Sequence, residues 1–293
     1  MNKRSMNNRN VPVLILGRNR PDHLSRLLNS EALKDCASIY IFLDGPEIKS
    51  HDVNDDSSLS DTQQVAREFL EKRKGKILVS KNHLGCYRGV TTGIDWFFSH
   101  EDEGVIVEDD LLLHKDAIAT AGRALDEFRN QRSIASICLY RVGNADDSYG
   151  FTISDSISSW GWATWRNRWV DFDHRVEERL VFHPIVLMKH GGIPGFRRWY
   201  VVARRLRRKE LDSWAYRWMF SVWLKRKRNA VVPFNLVENH GFGDSATHTK
   251  KGQTVEMEED FEKDRVKWNI NSAKLNKKYD RLLMDKHFGI KRR

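Results

Sequence analysis

The sequence has few cysteines and no long apolar run. Its 293 residues include three cysteines, Cys36, Cys86 and Cys138, which lie far apart and show no C-x-x-C spacing. An odd number of widely separated thiols predicts a reducing compartment and no cysteine-based zinc site. No apolar run approaches the roughly 20 residues that a membrane helix needs, and the short run after the basic N-terminus predicts a first strand, not a secretory signal. We therefore expect a soluble, cytoplasmic protein.

Two phosphate-binding signatures are also missing. No G-x-G-x-x-G follows the first predicted strand, and the sequence contains no G-x-x-x-x-G-K-[ST]. The first pattern brings backbone close to a dinucleotide pyrophosphate, and the second cradles nucleotide phosphates on backbone amides. Their absence argues against a dinucleotide-dependent oxidoreductase and against a P-loop enzyme.

Positive charge, in contrast, is present in excess. The 50 lysines and arginines against 40 acids give a net charge of +10, which favours anionic partners such as nucleotide phosphates, membrane lipids or nucleic acid. Residues 197–209 concentrate part of this charge on a segment that also has an apolar side. This segment is either a solvated helix face or a surface for anionic lipid or an acidic acceptor.

The first half of the chain alternates between apolar runs and helical spacing. Predicted strands cover 11–16, 39–43, 76–79, 104–107 and 134–139, and predicted helices begin near Pro21, Asp61, Gly89 and Asp116. The second predicted helix ends at Gly75, and a further short strand is predicted over 229–234. Strands that alternate with helices form parallel sheets through right-handed crossovers. We therefore predict an α/β, Rossmann-like fold with a mostly parallel sheet, flanking helices and a helical C-terminal part.

Charged and polar side chains follow the predicted strands at their carboxyl ends, where ligands of such sheets bind. They are Arg18 and Arg20, then Asp44, then Lys81, Asn82 and Arg88, then Glu108, Asp109 and Asp110. Three adjacent carboxylates raise one another's pKa unless a cation lies between them, and hard oxygen ligands suit Mg²⁺ or Mn²⁺. The triplet is therefore a candidate metal site, with an acidic turn exposed to water as the alternative.

The second half contains a dense tryptophan block. Four tryptophans lie within residues 159–169, and Gly161 separates the first two. Aromatic rings stack on sugars or bases, but they also fill cores. We expect most of the block to be structural, with Trp160 and Gly161 nearest to a ligand.

Three further residues are candidates for the site. Asp212 precedes Trp214 and a run with helical spacing, so it is either the N-cap of that helix or a general base at its mouth. His240 and His248 lie in a glycine-rich segment, 238–248, that is typical of a lid over a phosphate or metal, although single histidines are more often structural.

The C-terminal residues, 250–293, are highly charged and show helical spacing near 261–268 and 282–288. We expect them to form a peripheral appendage.

Several motifs in a fixed order resemble those of bacterial GT-A glycosyltransferases. They are PVLILGRNRPDHL (12–24), FLDG (42–45), GVTTGIDW (89–96), VEDD (107–110), SWGWATW (159–165) and GFGDSATH (241–248). The resemblance covers residues 11–250 and lies in the order of the motifs, since no single one would suffice. More distantly, the sequence is similar to the N-acetylglucosaminyltransferase I family of inverting enzymes.

The resemblance implies a GT-A fold, a nucleoside diphosphate sugar donor, usually a UDP-sugar, and Mn²⁺ or Mg²⁺. By motif, Asp110 would be the direct metal ligand. Glu108 and Asp109 would contact the donor sugar and the ribose, and Arg20 and Asp44 would contact the nucleotide.

The resemblance also implies a catalytic base and a division of the chain. Asp212 falls where that family has its catalytic aspartate, with Asp244 as the next choice for the base. The chain would comprise a flexible basic tail (1–10), a nucleotide-sugar-binding half (11–145), an acceptor-binding and catalytic half of the same domain (146–250) and the charged appendage (251–293). A glycan or lipid-linked saccharide, such as a surface-polysaccharide precursor, is the implied acceptor, with peripheral contact to the inner face of the membrane.

Three other classes remain open at this point. A nucleic-acid-binding protein is favoured by charge alone, because no nucleic-acid-binding motif is present, and we expect no such partner. A glycoside hydrolase would also use two carboxylates, but it needs neither metal nor nucleotide. A relative without turnover would bind only a nucleotide or a glycan.

Overall fold

A computed structural model of the chain contains an eight-stranded sheet, and the predicted site lies at the ends of several of its strands. The structure describes residues 10–34, 36–47, 53–143, 149–241, 257, 266–268 and 274–290. The strands within them are β1 (Val13–Gly17), β2 (Ile39–Leu43), β3 (Gly75–Val79), β4 (Glu103–Glu108), β5 (Leu111–Leu113), β6 (Ile134–Cys138), β7 (Thr152–Ser154), β8 (Trp162–Trp165), β9 (Arg228–Val231) and β10 (Val237–Asn239). The α-helices are α1 (Pro21–Leu28), α2 (Val53–Leu70), α3 (Gly85–His100), α4 (Ala117–Phe128), α5 (Arg166–Trp169), α6 (Val176–Phe182), α7 (Ile185–Met188), α8 (Gly192–Arg207), α9 (Trp214–Leu224) and α10 (Lys277–Lys286).

The strand order confirms the α/β class with a mostly parallel sheet. The order is β3-β2-β1-β4-β8-β6-β9-β7. The first four strands in this order pair in parallel, as β6 and β9 do. The exceptions are β8, which runs antiparallel between β4 and β6, and β7, which is antiparallel to β9. The carboxyl ends of β1, β2 and β4 therefore meet at one edge.

Most of the apolar runs that predicted strands lie in the interior of this sheet, and β3 lies at its edge. All five residues of β2 are buried, as is most of β1, which is typical of central parallel strands covered on both faces. The predicted bounds of β2 are confirmed, and β4 extends one residue beyond the prediction at each end. The second predicted helix has the wrong bounds: α2 ends at Leu70, because Gly75 already pairs with Ile39 in the sheet.

The tryptophan block forms a strand that the sequence did not predict. All four residues of β8 are buried, so the strand lies between packed layers and shows no alternation of apolar with polar residues. Trp162 stacks on Trp214 with ring centroids 5.5 Å apart and also contacts Trp169 and Trp218. Most of the block is therefore core, as expected.

A separate two-stranded sheet lies next to the acidic triplet. In it β10 pairs antiparallel with β5, so Glu238 and Asn239 belong to a strand. The prediction of a loop over 238–248 is wrong for these two residues, and 242–248, which include His248 and Asp244, lie outside the described residues. The backbone N–H of His240 donates to the carbonyl oxygen of Asp110 at 2.9 Å, which brings β10 up to the triplet.

One side of α10 packs against the core, and its other side is exposed. Tyr279, Leu283 and Met284 of α10 are buried. Lys267 forms a β-bridge with Gly150, so the helix predicted near 261–268 is wrong at that point, and 261–265 lie outside the described residues, as do 1–9. Of the described helices, none combines the length and apolar character needed to cross a bilayer.

Candidate active site

A cavity of about 370 Å³ opens at the carboxyl ends of β1, β2 and β4. Its volume falls within the range of small-molecule sites, roughly 300–1,000 Å³. Seven of the predicted site residues line it: Arg18, Arg20, Asp44, Glu108, Asp109, Asp110 and Trp160. Topology thus brings together residues that are up to 142 positions apart in the sequence.

Arg20 faces the acidic triplet in this cavity. Arg20 Nη1 lies 2.9 Å from Asp110 Oδ2 and 4.0 Å from Asp109 Oδ1. The other oxygen of Asp110, Oδ1, is buried and has no hydrogen-bond partner among the described residues. Gly241 packs so closely on this carboxylate that a Cβ there would overlap Asp110 Oδ2. A buried anionic oxygen without a donor is costly, so a cationic partner at Asp110 would stabilise the site.

The pKa values of Glu108 and Asp109 also indicate that a cation would stabilise the triplet. Burial, and then the negative charges of Asp110 and Asp109, raise the pKa of Glu108 to about 8, while a hydrogen bond from the Trp214 side chain opposes the shift. Burial and the charge of Asp110 raise the pKa of Asp109 to about 7. Arg20 lowers both pKa values but does not offset these effects. Without a further cation, Glu108 and Asp109 keep their protons to a higher pH than isolated carboxyls do.

The triplet fits a metal that is held partly by a ligand. Among the described residues, no group of three or more His, Cys, Asp or Glu side chains is placed to hold a metal by itself. Mg²⁺ usually keeps several waters and binds through one or two carboxylates together with substrate phosphates. Asp110, with its unpartnered buried oxygen, suits that kind of site.

Asp44 also lines the cavity and contacts a histidine, His83, that the sequence analysis did not single out. The Asp44 carboxylate accepts hydrogen bonds from the backbone N–H groups of Gly45, Leu84 and Gly85, and its Oδ2 lies 2.8 Å from His83 Nδ1. Asp44 therefore fixes the start of α3 and presents His83 to the cavity. His83 directly follows Lys81 and Asn82, and its place near the end of β3 was the only sequence signal for it.

Arg18 also has a partner that the sequence did not reveal. Its guanidinium lies 2.5 Å from Asp55 Oδ2 and donates to the carbonyl oxygen of Gly45 at 3.3 Å. Asp55 lies on α2, 37 positions away, and also accepts a hydrogen bond from Asn19. This contact fixes Arg18 at the mouth of the cavity.

Asp212 is not the N-cap of its own helix. Ser213 is, and its side chain accepts from the N–H of Tyr216. Asp212 instead accepts a hydrogen bond from the N–H of Tyr87, in the first turn of α3, at 3.1 Å. A carboxylate at a helix N-terminus is favoured by the helix dipole and the free N–H groups. Asp212 is exposed and sits against Gly85, where a Cβ would lie 2.7 Å from its Oδ2.

A buried ion pair supports the segment that carries Asp212. Arg217 donates to the carbonyl oxygen of Ser213 at 3.1 Å and pairs with Glu177 at 3.0 Å. Its guanidinium also lies over the ring of Tyr87, 4.1 Å from the centroid. Because Gly85 lines the cavity and Asp212 adjoins it, this support holds an exposed carboxylate at the rim of the triplet's cavity.

Four predicted site residues are not among the described residues that line the cavity: Asp212, which adjoins it at Gly85, and Arg88, Gly161 and His240. Arg88 is exposed on α3. Gly161 has a φ of +63°, which favours glycine, and packs against Val237. The His240 ring is exposed, with Nε2 3.2 Å from Glu238 Oε2. Trp160, in contrast, lines the cavity and packs edge-on against Tyr140.

A second cavity, of about 960 Å³, lies beside α10. Its lining includes Arg141, His190 and Asp280 but none of the predicted site residues. It is larger and includes three aspartates, Asp155, Asp280 and Asp285, but these are not consecutive and the motifs described above do not contribute to it, so the smaller cavity is the better candidate for chemistry.

Replacing Glu108 by glutamine is expected to stabilise the metal-free protein at alkaline pH. A carboxyl whose pKa is raised by folding contributes stability that is fully present below its unfolded pKa and is lost as the pH rises through its folded pKa, here between about 4.5 and about 8. Glutamine has no proton to lose and still accepts from Trp214. At about pH 9 with a chelator, Glu108→Gln should melt about 3 °C or more above the parent, with little difference near pH 5. An equal difference at both pH values in thermal melts would contradict the assignment.

The sequence matches no protein-family model and no curated protein. The function is therefore inferred from the site itself. That site combines an acidic triplet beside Arg20, a histidine held by Asp44 and an exposed aspartate, Asp212, at the start of α3.

Proposed function

We propose that this protein is a metal-dependent glycosyltransferase with a GT-A fold. It moves a sugar from a nucleoside diphosphate sugar, with a UDP-sugar as the expected donor, to a hydroxyl of a glycan or lipid-linked acceptor, with inversion at the anomeric carbon. The eight-stranded α/β sheet is compatible with this fold, and the order of the sequence motifs supports it.

One observation carries the proposal. The buried triplet, in which Asp110 Oδ1 is unpartnered, opens into the same cavity as Arg18, Arg20 and His83. A diphosphate brings its own negative charge, so it needs cations on one side and a bridging metal on the other. The cavity offers the cations in Arg18 and Arg20, and Asp110 would hold the metal; His83 and Trp160 add planar side chains for a base or sugar.

The residues around the cavity have distinct roles in this proposal. Asp110 would hold the Mn²⁺ or Mg²⁺, assisted by Glu108 or Asp109. When bound, the ion would neutralise negative charge that builds up on the departing diphosphate. Arg20 would contact the diphosphate, and stabilisation of this kind at preorganised groups is usually the largest single contribution to catalysis.

Asp212 would act as the general base on the side of the donor sugar that faces away from the diphosphate. It takes the proton from the acceptor hydroxyl while that oxygen forms a bond to the anomeric carbon. The bond from the anomeric carbon to the diphosphate oxygen breaks at the same time, and the electron pair leaves with the nucleoside diphosphate. Attack opposite to the leaving group inverts the configuration. The contact with the Tyr87 N–H uses Oδ1 of Asp212, so Oδ2 would accept the proton.

A thermal-shift screen against nucleoside diphosphates and their sugars, with and without Mn²⁺, tests the proposal. A ligand at about 100 times its dissociation constant adds ~2.7 kcal/mol to the free energy of unfolding, which raises the melting temperature by several degrees. We expect one nucleoside diphosphate to stabilise the protein only when metal is present. No shift with any donor in the presence of metal would overturn the enzyme assignment.

Turnover separates the proposal from its alternatives. A nucleotide shift without sugar transfer to any glycan or lipid-linked acceptor would favour a binding relative without activity. Metal-independent cleavage of a glycan would favour a glycoside hydrolase. Binding to RNA or DNA that falls steeply with salt, without a nucleotide-sugar shift, would favour a nucleic-acid-binding protein.

A further inference from the structure

Three consecutive helices, α6, α7 and α8, leave large apolar side chains in the solvent. Phe182, Ile185, Met188, Ile193 and Val201 are between 50% and 76% exposed. Both α6 and α7 pack on α8, so these side chains belong to one face of the molecule. We call these five residues the apolar edge. Exposed apolar groups gathered in one place mark an interaction site more often than isolated ones do.

The same face carries a strong positive charge. Residues 191–209 contain seven arginines and lysines and no acid. Among the described residues, no ion pair involves Arg197, Arg198, Arg204, Arg205 or Arg207. The guanidinium of Arg207 lies over the exposed ring of Phe182, 5.2 Å from its centroid, which joins the charge to the apolar edge.

The charge and the apolar groups lie on the same side of α8. By helical spacing, one side of this helix contains Ile193, Arg197, Val201, Arg204 and Arg208. The opposite side is buried and contains Gly195, Trp199, Val202, Ala203 and Leu206. Single exposed apolar side chains are common on surface helices, but Ile193 and Val201 lie among arginines beside the exposed residues of α6 and α7, and such a continuous surface favours a binding site.

We propose that this face docks on an anionic lipid bilayer. Apolar side chains can enter the boundary between head groups and acyl chains, while arginines bind lipid phosphates. A second copy of this chain fits less well, because a two-fold interface would set the arginines of α8 against themselves. Nucleic acid would use the arginines but leave Phe182 and Ile185 unexplained.

Docking of this face would also bring the segment that carries Asp212 close to the membrane. Asp212 follows α8 after four residues. Arg217 links the surrounding helices, since it pairs with Glu177 of α6 and donates to the carbonyl oxygen of Leu206 in α8 at 3.4 Å. A bilayer held by α6, α7 and α8 therefore lies close to the acceptor side of the site. This step rests on the proposed function and narrows the acceptor to a lipid-linked saccharide held in the membrane.

Vesicle co-sedimentation tests the docking. The intact protein should bind phosphatidylcholine vesicles that contain about 30 mol % phosphatidylglycerol, should bind pure phosphatidylcholine weakly, and should dissociate as salt rises from about 0.1 M to about 0.5 M. Removing three charges with Arg197→Gln, Arg204→Gln and Arg205→Gln should weaken binding about 100-fold. Replacing Phe182 and Ile185 by serine should weaken it about tenfold or more at unchanged charge.

A matched charge variant provides the control. Lys72, Lys74 and Lys76 are exposed in and just before β3, outside α6, α7 and α8, and changing all three to glutamine removes the same charge. This variant should lose less than about threefold. An equal loss in the two triple variants would overturn the proposal, as would unchanged binding in the Phe182 and Ile185 variant.

Two further measurements exclude other readings of the result. Concentration-dependent dimerisation in sedimentation velocity, abolished by the serine variant, would assign the face to a second copy and overturn lipid docking. Nucleotide-dependent thermal shifts should be the same in all these variants, since none of the changed residues lines the cavity. Lipid binding without any nucleotide-dependent thermal shift would contradict the glycosyltransferase proposal but not the docking. A nucleotide-dependent thermal shift without lipid binding would contradict the docking but not the glycosyltransferase proposal.

Discussion

Replacing Asp212 by asparagine should reduce sugar transfer by about 10²- to 10⁴-fold while leaving donor binding intact. General-base catalysis contributes an effect of that size, and an amide cannot take the proton of the acceptor hydroxyl. Asparagine keeps the shape of the side chain and its Oδ1 can still accept from the N–H of Tyr87, so the start of α3 should be preserved. The measurement is the rate of nucleoside diphosphate release with saturating donor, metal and acceptor, together with the donor-induced thermal shift.

The control is an aspartate that lies away from the cavity. Asp102 is 85% exposed and pairs with Arg166 on the surface, so Asp102→Asn makes the same chemical change without touching the proposed machinery and should leave the rate unchanged. If Asp212→Asn transferred sugar at the normal rate, the base would be another residue, and Asp244 would be tested next. A loss of the donor shift in Asp212→Asn would instead point to a structural role.

The sequence predicted the parallel half of the sheet because that half follows local rules. β1 to β4 are continuous apolar runs separated by helices, and each carboxyl end lies at the same edge. The convergence of Arg20, Asp44 and the triplet followed from that topology alone. For this part of the fold, the order of the elements and the hydrophobicity of the strands are nearly sufficient to predict the structure.

The antiparallel part depends on contacts that no local pattern records. β8 is inserted between β4 and β6, and its buried tryptophans look the same in sequence whether they form a strand, a hinge or a ligand platform. The pairing of β5 with β10 joins residues more than 120 positions apart. Neither strand is longer than three residues, which is too short for a periodic signal.

Individual side chains in the site were harder to predict than the site itself. Asp212 and Ser213 are both good N-caps, and only the position of α3 shows that Ser213 caps α9 while Asp212 reaches Tyr87. His83 was missed because its importance comes from its contact with Asp44, 39 positions away in the sequence. Such roles are set by tertiary neighbours, so one sequence predicts where the site lies better than it predicts each contact.

The effect of replacing Asp110 by asparagine should change sign with metal. Without metal, the variant is expected to be at least as stable as the parent above about pH 7, since the negative charge of Asp110 helps to raise the pKa values of Glu108 and Asp109. Asparagine removes that charge and can still accept from Arg20. With Mn²⁺ and the nucleoside diphosphate, the parent should gain several degrees in melting temperature and the variant about 1 °C or less. Binding of Mn²⁺ measured by electron paramagnetic resonance gives a readout that does not depend on activity.

The two halves of this prediction test different properties of Asp110. A variant that is less stable than the parent in chelator would mean that the salt bridge with Arg20 outweighs the repulsion within the triplet. A variant that keeps the full metal-dependent shift would mean that the metal is not held by Asp110. Asp102→Asn again supplies the matched change, and it should retain both the metal-free stability and the metal-dependent shift. A carboxylate that binds a cation through its unpartnered oxygen predicts both results together: the metal-dependent shift is lost, and the metal-free stability is unchanged or higher. If Asp110 had only a structural role as a buried ion-pair partner, removing its negative charge would destabilise the fold.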